Sequence, residues 1–317
     1  MIGRAVQRFV TACSATEDAT AQALFRIAIG LCVLFTLLDV VFAGLVDVLW
    51  VDQAYGGMRP LKGLPWLIEW LGGATPEVMH ALVALGVLGG VFLVLGIGGR
   101  VTAMLSLLVV GSIVDVNGHA GGSYDELLSN ALWLLVLSGG HKTLSVPAKL
   151  STGSWWPEAP IYAFPRWLAI WQLCLMYGTT GLQKVSTYWV PGGESSALYY
   201  IMQQPTWQRA DMSWVAQFYT LTQAATLITW FWEVFAFFWI LTVWYAATPD
   251  RPGRLRSLSN RLQLRWVFAA IGIGMHLVIF ATMEVGPFSP LSLSFYVLLA
   301  HPWEWRRWLT RSTMSPA

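Results

Sequence analysis

Runs of about 20 apolar residues recur along this chain from Leu24 to Ala300, and no other feature restricts its folding as strongly. A helix rising about 1.5 Å per residue needs a run of that length to cross roughly 30 Å of hydrocarbon. The runs predict spans at residues 24–46, 77–98, 101–117, 124–139, 165–183, 218–246, 265–283 and a shorter one at 287–300. The implied fold is all-α, a polytopic membrane helix bundle of about eight transmembrane helices. The last run is short for a full crossing and also fits a re-entrant segment, which would make the count seven.

Charged residues make up 11% of the chain, against about a quarter in soluble domains, so no soluble domain is left over. Residues 1–317 are expected to form a single transmembrane domain, with an amphipathic leader at 1–23 and a tail at 303–317. Thr16, Glu17, Asp18 and Thr20 interrupt the leader too often for a signal-peptide core, which leaves the first span as the insertion signal. Many of the 19 tryptophans, among them Trp50, Trp66, Trp155, Trp189, Trp207 and Trp303, fall at the ends of runs or between them, as in an interfacial aromatic belt.

Basic residues set the orientation. With the N-terminus inside, Arg4, Arg8, Arg26, Arg100, Lys142, Lys149, Arg166, Arg251, Arg254, Arg256, Arg261, Arg265, Arg306, Arg307 and Arg311 are cytoplasmic. Arg59, Lys62, Lys184 and Arg209 lie outside, a split of 15 to 4 among 19. This bias predicts a multi-pass protein of the cell inner (plasma) membrane with both termini cytoplasmic. The two long outer connections, 47–76 and 184–217, contain mixed apolar and polar stretches at 59–73 and 195–204 that read as interfacial helices.

An ionisable group at membrane depth is costly and usually faces a cavity or a partner. Asp39 lies in the outer part of the first span, Asp115 and Asn117 close the third, and Tyr124 and Asp125 open the fourth. Lys184 ends the fifth span, Glu233 is mid-membrane in the sixth, and His276 and Glu284 belong to the seventh. Nearly all fall in one half of the bilayer. At helical spacing Thr180 and Gly181 lie one turn below Lys184 and Tyr177 two turns below, a stripe of hydroxyls and a glycine gap that can admit a ligand.

Each of these residues has two readings. Lys184 is a snorkelling lysine at a helix end, or a partly desolvated base. His276 is a core histidine satisfied by a neighbouring helix, or an acid/base group; haem would need a partner such as His80, which nothing requires. Asp125 is a helix N-terminal carboxylate, with or without a second role as ion partner of Lys184. Glu233 is expected to be protonated or paired, and Glu284 interfacial.

Other chemistries lack their signatures. Gly86, Gly89, Gly90, Gly96, Gly98 and Gly99 lie in and after an apolar helix and form no dinucleotide loop, while Gly86 and Gly90 fit small-xxx-small helix packing. Cys13, Cys32 and Cys174 form no CxxC. No HExxH, phosphate loop or nucleophile elbow occurs, which leaves metal, nucleotide and hydrolase sites unsupported, and nucleic acid is not indicated as a partner.

Tyr177-Gly178 and Gly181-Leu182-Gln183-Lys184-Val185 followed by Trp189 resemble the signature segment of the HTTM (horizontally transferred transmembrane) domain family, related to the membrane domain of vitamin K-dependent gamma-carboxylases. Phe25-Arg26-Ile27, Tyr124-Asp125-Glu126-Leu127-Leu128, His276 with Gly286-Pro287-Phe288-Ser289, and His301-Pro302 resemble further parts of that pattern. The resemblance implies that Lys184 takes the position of the base that deprotonates a reduced quinone, a vitamin K hydroquinone-like cosubstrate. Gln183-Lys184 stands where the carboxylases carry two lysines, and Asp125 where they offer a histidine. The large extramembrane peptide-binding domain has no counterpart, so the resemblance does not extend to glutamate carboxylation.

Two functions follow as expectations. One is a quinol- or lipid-utilising membrane enzyme with Lys184 as base, Asp125 and His276 as proton partners, and Tyr177, Thr180, Gly181, Tyr124, Asn117, Glu233 and Asp39 around a lipophilic substrate. The other is a non-catalytic lipophilic-ligand-binding protein or a membrane maturation factor for a secreted peptide. A transporter would more often show two related halves, and residues 1–158 and 159–317 show no convincing repeat.

Overall fold

The apolar runs become helices in a computed structural model that describes residues 7, 10–11, 13–59 and 63–311. In chain order these are α1 (Thr20–Phe42), α2 (Pro76–Leu95), α3 (Gly99–Val114), α4 (Ser123–Leu137), α5 (Phe164–Gln183) and α6 (Tyr219–Val234). Then come α7 (Trp239–Ala247), α8 (Arg254–Arg261), α9 (Leu264–Thr282), α10 (Phe288–Tyr296) and α11 (Pro302–Arg311). Residues 1–6, with Arg4, then Arg8, Lys62 and the tail from 312 lie outside the described residues.

Among the described residues α1, α2 and α9 are each long and apolar enough to cross a membrane. The run expected as one span at 218–246 is instead a bent pair. Residues 213–234 and 236–247 meet at 50° around Phe235, and together they make a fourth candidate. The break contains neither proline nor glycine. A short 3₁₀ turn at Ala236–Phe238 carries the change of direction between large aromatic side chains. α3 and the segment 288–299 are apolar but shorter.

The chain sorts into two compact units, residues 1–168 with 300–317, and residues 169–299. In the first unit α1 packs on α2 through small residues. A Cβ built on Gly30 would meet the Val94 nitrogen at 2.9 Å and the Gly90 oxygen at 3.0 Å, so the two backbones touch. Gly86 and Gly90 face Leu37 and Leu34 of α1, the small-residue packing expected of them. Arg26 is buried in α1, and its guanidinium donates to carbonyls at the C-terminal end of α2 and in the segment 140–144. It donates to Leu93, to Val94 at 2.9 Å, to Leu144 at 2.6 Å and to Gly140 at 3.3 Å. A cation at the end of α2 also complements the helix dipole.

Residues 16–18, expected in the leader, form a strand, β1 (Thr16–Asp18), antiparallel to β2 (Pro160–Tyr162) with Thr16 opposite Tyr162. Polar side chains lock this ribbon in place. Arg166 holds Glu17 at 2.8 Å, Arg306 of α11 holds Asp18 at 2.9 Å, and Gln22 bonds the Tyr162 carbonyl at 2.8 Å. Burial pushes the Glu17 carboxyl above its usual range, opposed by the Arg166 charge. A side chain at position 30 has no room, so Gly30→Val is expected to cost about 1–3 kcal/mol and to lower the melting temperature of the detergent-solubilised protein. An unchanged melt would mean that the α1–α2 contact is looser than described.

Candidate functional site

The second unit builds its polar centre from the C-terminal half of α5. Tyr177, Gly181 and Lys184 are spaced i, i+4, i+7 and share a face, with Tyr177 and Gly181 buried. Gly181 is where α6 comes closest, because a Cβ there would meet the Val234 nitrogen at 2.6 Å and the Glu233 carbonyl carbon at 2.8 Å. That approach brings Glu233 to Lys184, and the ammonium forms an ion pair with the carboxylate. Side-chain exposures of 17% and 7% make this a pair shielded from most solvent. The Lys184 Nζ also lies over the Trp189 ring, 4.8 Å from its centroid, and the Trp230 indole donates to the Lys184 carbonyl at 3.1 Å.

Two turns down α5 the Tyr177 hydroxyl bonds His276 Nε2 of α9, and Tyr296 of α10 donates to the Tyr177 oxygen at 3.4 Å. Trp232 and Trp239 close this layer, with ring centroids 4.7 and 5.7 Å from Tyr177. The Trp232 indole donates to the Phe268 carbonyl at 3.0 Å. The long connection 184–217 is structured, as its composition suggested. Gln223 bonds the Glu194 carbonyl at 2.8 Å, the Thr226 hydroxyl accepts from Leu198 N–H at 3.2 Å, and Arg209 pairs with Glu284 at 2.9 Å. Where 195–204 was expected as an interfacial helix the helix covers Ala197–Met202, and within 59–73 it covers Trp66–Trp70.

The structure therefore groups Lys184, Glu233, Gly181, Tyr177 and His276 in one unit. Thr180 departs from the stripe: it is exposed, and its hydroxyl is returned to the Met176 carbonyl at 2.8 Å. The other expected residues belong to the first unit. Asp125 accepts from the Gly122 N–H at 2.8 Å and closes the turn that starts α4, Tyr124 stands beside it, and Asp39 is exposed on α1. Asn117 follows α3, which ends at Val114, and its amide donates to the Leu49 carbonyl at 3.0 Å. His80 bonds the Pro76 carbonyl at 2.7 Å.

Sequence reasoning weighed Asp125 as the ion partner of Lys184, and in the structure that partner is Glu233. Tyr296, Trp232, Trp239 and Trp189 were not singled out as site residues. Their signal in the sequence is only aromatic density, which the membrane setting makes commonplace. Among the described residues no three His, Cys, Asp or Glu side chains are grouped to hold a metal ion.

Long apolar helices, with a shielded ion pair and a buried imidazole in the second unit, mark a helical membrane protein. The HTTM domain family model matches residues 15–252, and the chain belongs to that family. Neither the curated proteins nor the solved structures include a match to this chain. Removing one charge of the pair leaves the other poorly solvated, so Glu233→Gln is expected to destabilise the protein by about 2–4 kcal/mol. The double replacement Lys184→Met with Glu233→Leu should recover most of that loss in thermal melts. Additive losses would show that the two side chains do not form a coupled pair.

Proposed function

We propose that this HTTM-family protein is a quinol- or lipid-utilising membrane enzyme in which Lys184, backed by Glu233, removes a proton from a lipophilic substrate hydroxyl. The observation that carries the reading is the Lys184–Glu233 pair itself, held against an aromatic ring and largely shielded from solvent. In poorly solvated surroundings such a pair can relax by passing one proton from ammonium to carboxylate, which leaves an amine and a carboxylic acid. The amine lone pair then takes the hydrogen of the substrate O–H. The products are a substrate oxyanion and an ammonium that stabilises it. Tyr177, two turns back along α5, and His276 of α9 are the hydrogen-bonded pair that the reading assigns to the same site.

The proposed setting is the plasma membrane, with about eight passes and both termini in the cytoplasm. The four candidate spans, the two shorter apolar helices and the basic-residue bias support it. Under this topology a membrane-impermeant maleimide added to intact cells should modify a cysteine placed at Glu194 but not one placed at Ser257. Labelling at 257 alone would invert the orientation.

A second reading takes the same pair as structural. The Lys184 ammonium already has Glu233 and Trp189 as partners, which suits a clasp between α5 and α6 in a non-catalytic lipophilic-ligand-binding protein or a membrane maturation factor for a secreted peptide. Oxygen uptake by the purified protein with menadiol separates the two. The enzyme reading expects consumption above the protein-free rate that falls by about 10²–10⁴-fold in Lys184→Met. No protein-dependent uptake, or uptake unchanged in the variant, would favour the clasp.

A further inference from the structure

α10 presents a polar face to α9 in the middle of an aromatic layer. Ser289, Ser292 and Tyr296 are spaced i, i+3, i+7, so they lie along one side of the helix. That side meets α9, because the rings of Phe288 and Tyr296 stand 5.4 and 6.2 Å from the His276 ring. The Tyr296 hydroxyl also reaches the backbone at Gly272, one turn before His276, where a Cβ would collide with it. Ser289, Ser292 and His276 are completely buried.

The hydrogen bonds around Tyr177 accommodate one arrangement of the imidazole hydrogen. Tyr296 donates to the Tyr177 oxygen, so the hydroxyl hydrogen of Tyr177 is free to point at His276 Nε2. In the arrangement where Nε2 accepts, the ring hydrogen of a neutral imidazole resides on Nδ1. Nδ1 has no hydrogen-bond partner in the protein. Neither has the Ser289 hydroxyl, nor the Trp239 indole nitrogen, whose ring packs on Tyr177 and Tyr296. Ser292 Oγ lies beside the Tyr177 phenol without a hydrogen bond of good geometry.

A buried donor without an acceptor is destabilising, and several together in an apolar layer are rarely tolerated. A buried water typically satisfies about three such groups. We infer that the seam between α9 and α10 binds a small oxygen-bearing group, which accepts from His276 Nδ1–H and exchanges hydrogen bonds with the Ser289 and Ser292 hydroxyls. The chemistry is that of one oxygen with lone pairs, supplied either by a water molecule or by a carbonyl or hydroxyl of a lipophilic ligand. In both cases the oxygen extends the hydrogen-bonded series Tyr296–Tyr177–His276 by one member. The inference stands apart from the proposed proton abstraction at Lys184, since neither Lys184 nor Glu233 takes part in these hydrogen bonds.

The test is proton-detected solid-state NMR on the full-length protein, labelled with ¹⁵N-histidine, in nanodiscs of palmitoyl-oleoyl phosphatidylcholine. His276→Gln identifies the His276 signals among the five histidines, and Ser289→Ala provides a second assignment by perturbation if that variant does not fold. A water in the seam gives a hydrogen-bonded Nδ1–H with a cross-peak to water, weakened in Ser289→Ala and insensitive to menadiol. A ligand oxygen gives the same Nδ1–H shift, with the water cross-peak lost when menadiol is added. An Nδ1–H with the shift of an unbonded imidazole, unaffected by Ser289→Ala and by menadiol, would overturn the inference. Failure of quinol-dependent oxygen uptake would leave these NMR outcomes unchanged, so the two proposals can fail separately.

Discussion

A buried charge beyond the reach of water needs a partner, and this requirement organises the buried charges described above. Arg26 is the clearest case. Among the described residues its charge is paired with no carboxylate, and its guanidinium donates to carbonyls at the end of α2 and in the segment 140–144. Lys184 meets the same requirement with Glu233, and Glu17 and Asp18 meet it with Arg166 and Arg306. Buried charge in this chain is therefore structural first, and any chemistry has to work through groups that are already engaged.

The first unit uses its pairings to hold a helix bundle and a short ribbon together, with close backbone contact at Gly30 and Gly90. The second arranges its polar groups in layers along α5, an ion pair at Lys184 and a tyrosine–histidine layer two turns away, with Trp232 packed on Tyr177 next to Glu233 in sequence. Gly181 links these layers to α6, because only a residue without a side chain lets the backbone of Glu233 and Val234 come so near.

Much of the fold was legible because a continuous apolar run of 20 residues has few alternatives to a helix. The starts and ends of α2, α5 and α9 were read to within a few residues for that reason. The bend at Phe235 was not, since Phe235-Ala236-Phe237-Phe238 contains no residue that breaks a helix by itself and the change of direction comes from packing. The β1–β2 pairing also escaped notice, because three residues are too few for an alternating pattern and their partner lies more than 140 positions away. For the site, the depth of Lys184, Glu233 and His276 was visible as isolated polar residues in apolar runs. Which of them touch was not, because helix rotation and helix order are set by contacts between distant segments. Thr180 shows the same limit, since its position one turn from Lys184 does not reveal that it turns away.

Arg26 has a consequence for how the protein is made. Its acceptors lie 67 and 68 residues downstream in α2, and 114 and 118 downstream beyond α4. A ribosome delivers them in that order, so when α1 enters the bilayer its arginine has none of them and is best accommodated near the headgroups. The first helical hairpin supplies half of the required oxygens, and residues 140–144 complete the set only after four helices have been synthesised. The buried arginine of the earliest long helix thus gains its last two partners only when residues 140–144 have been made.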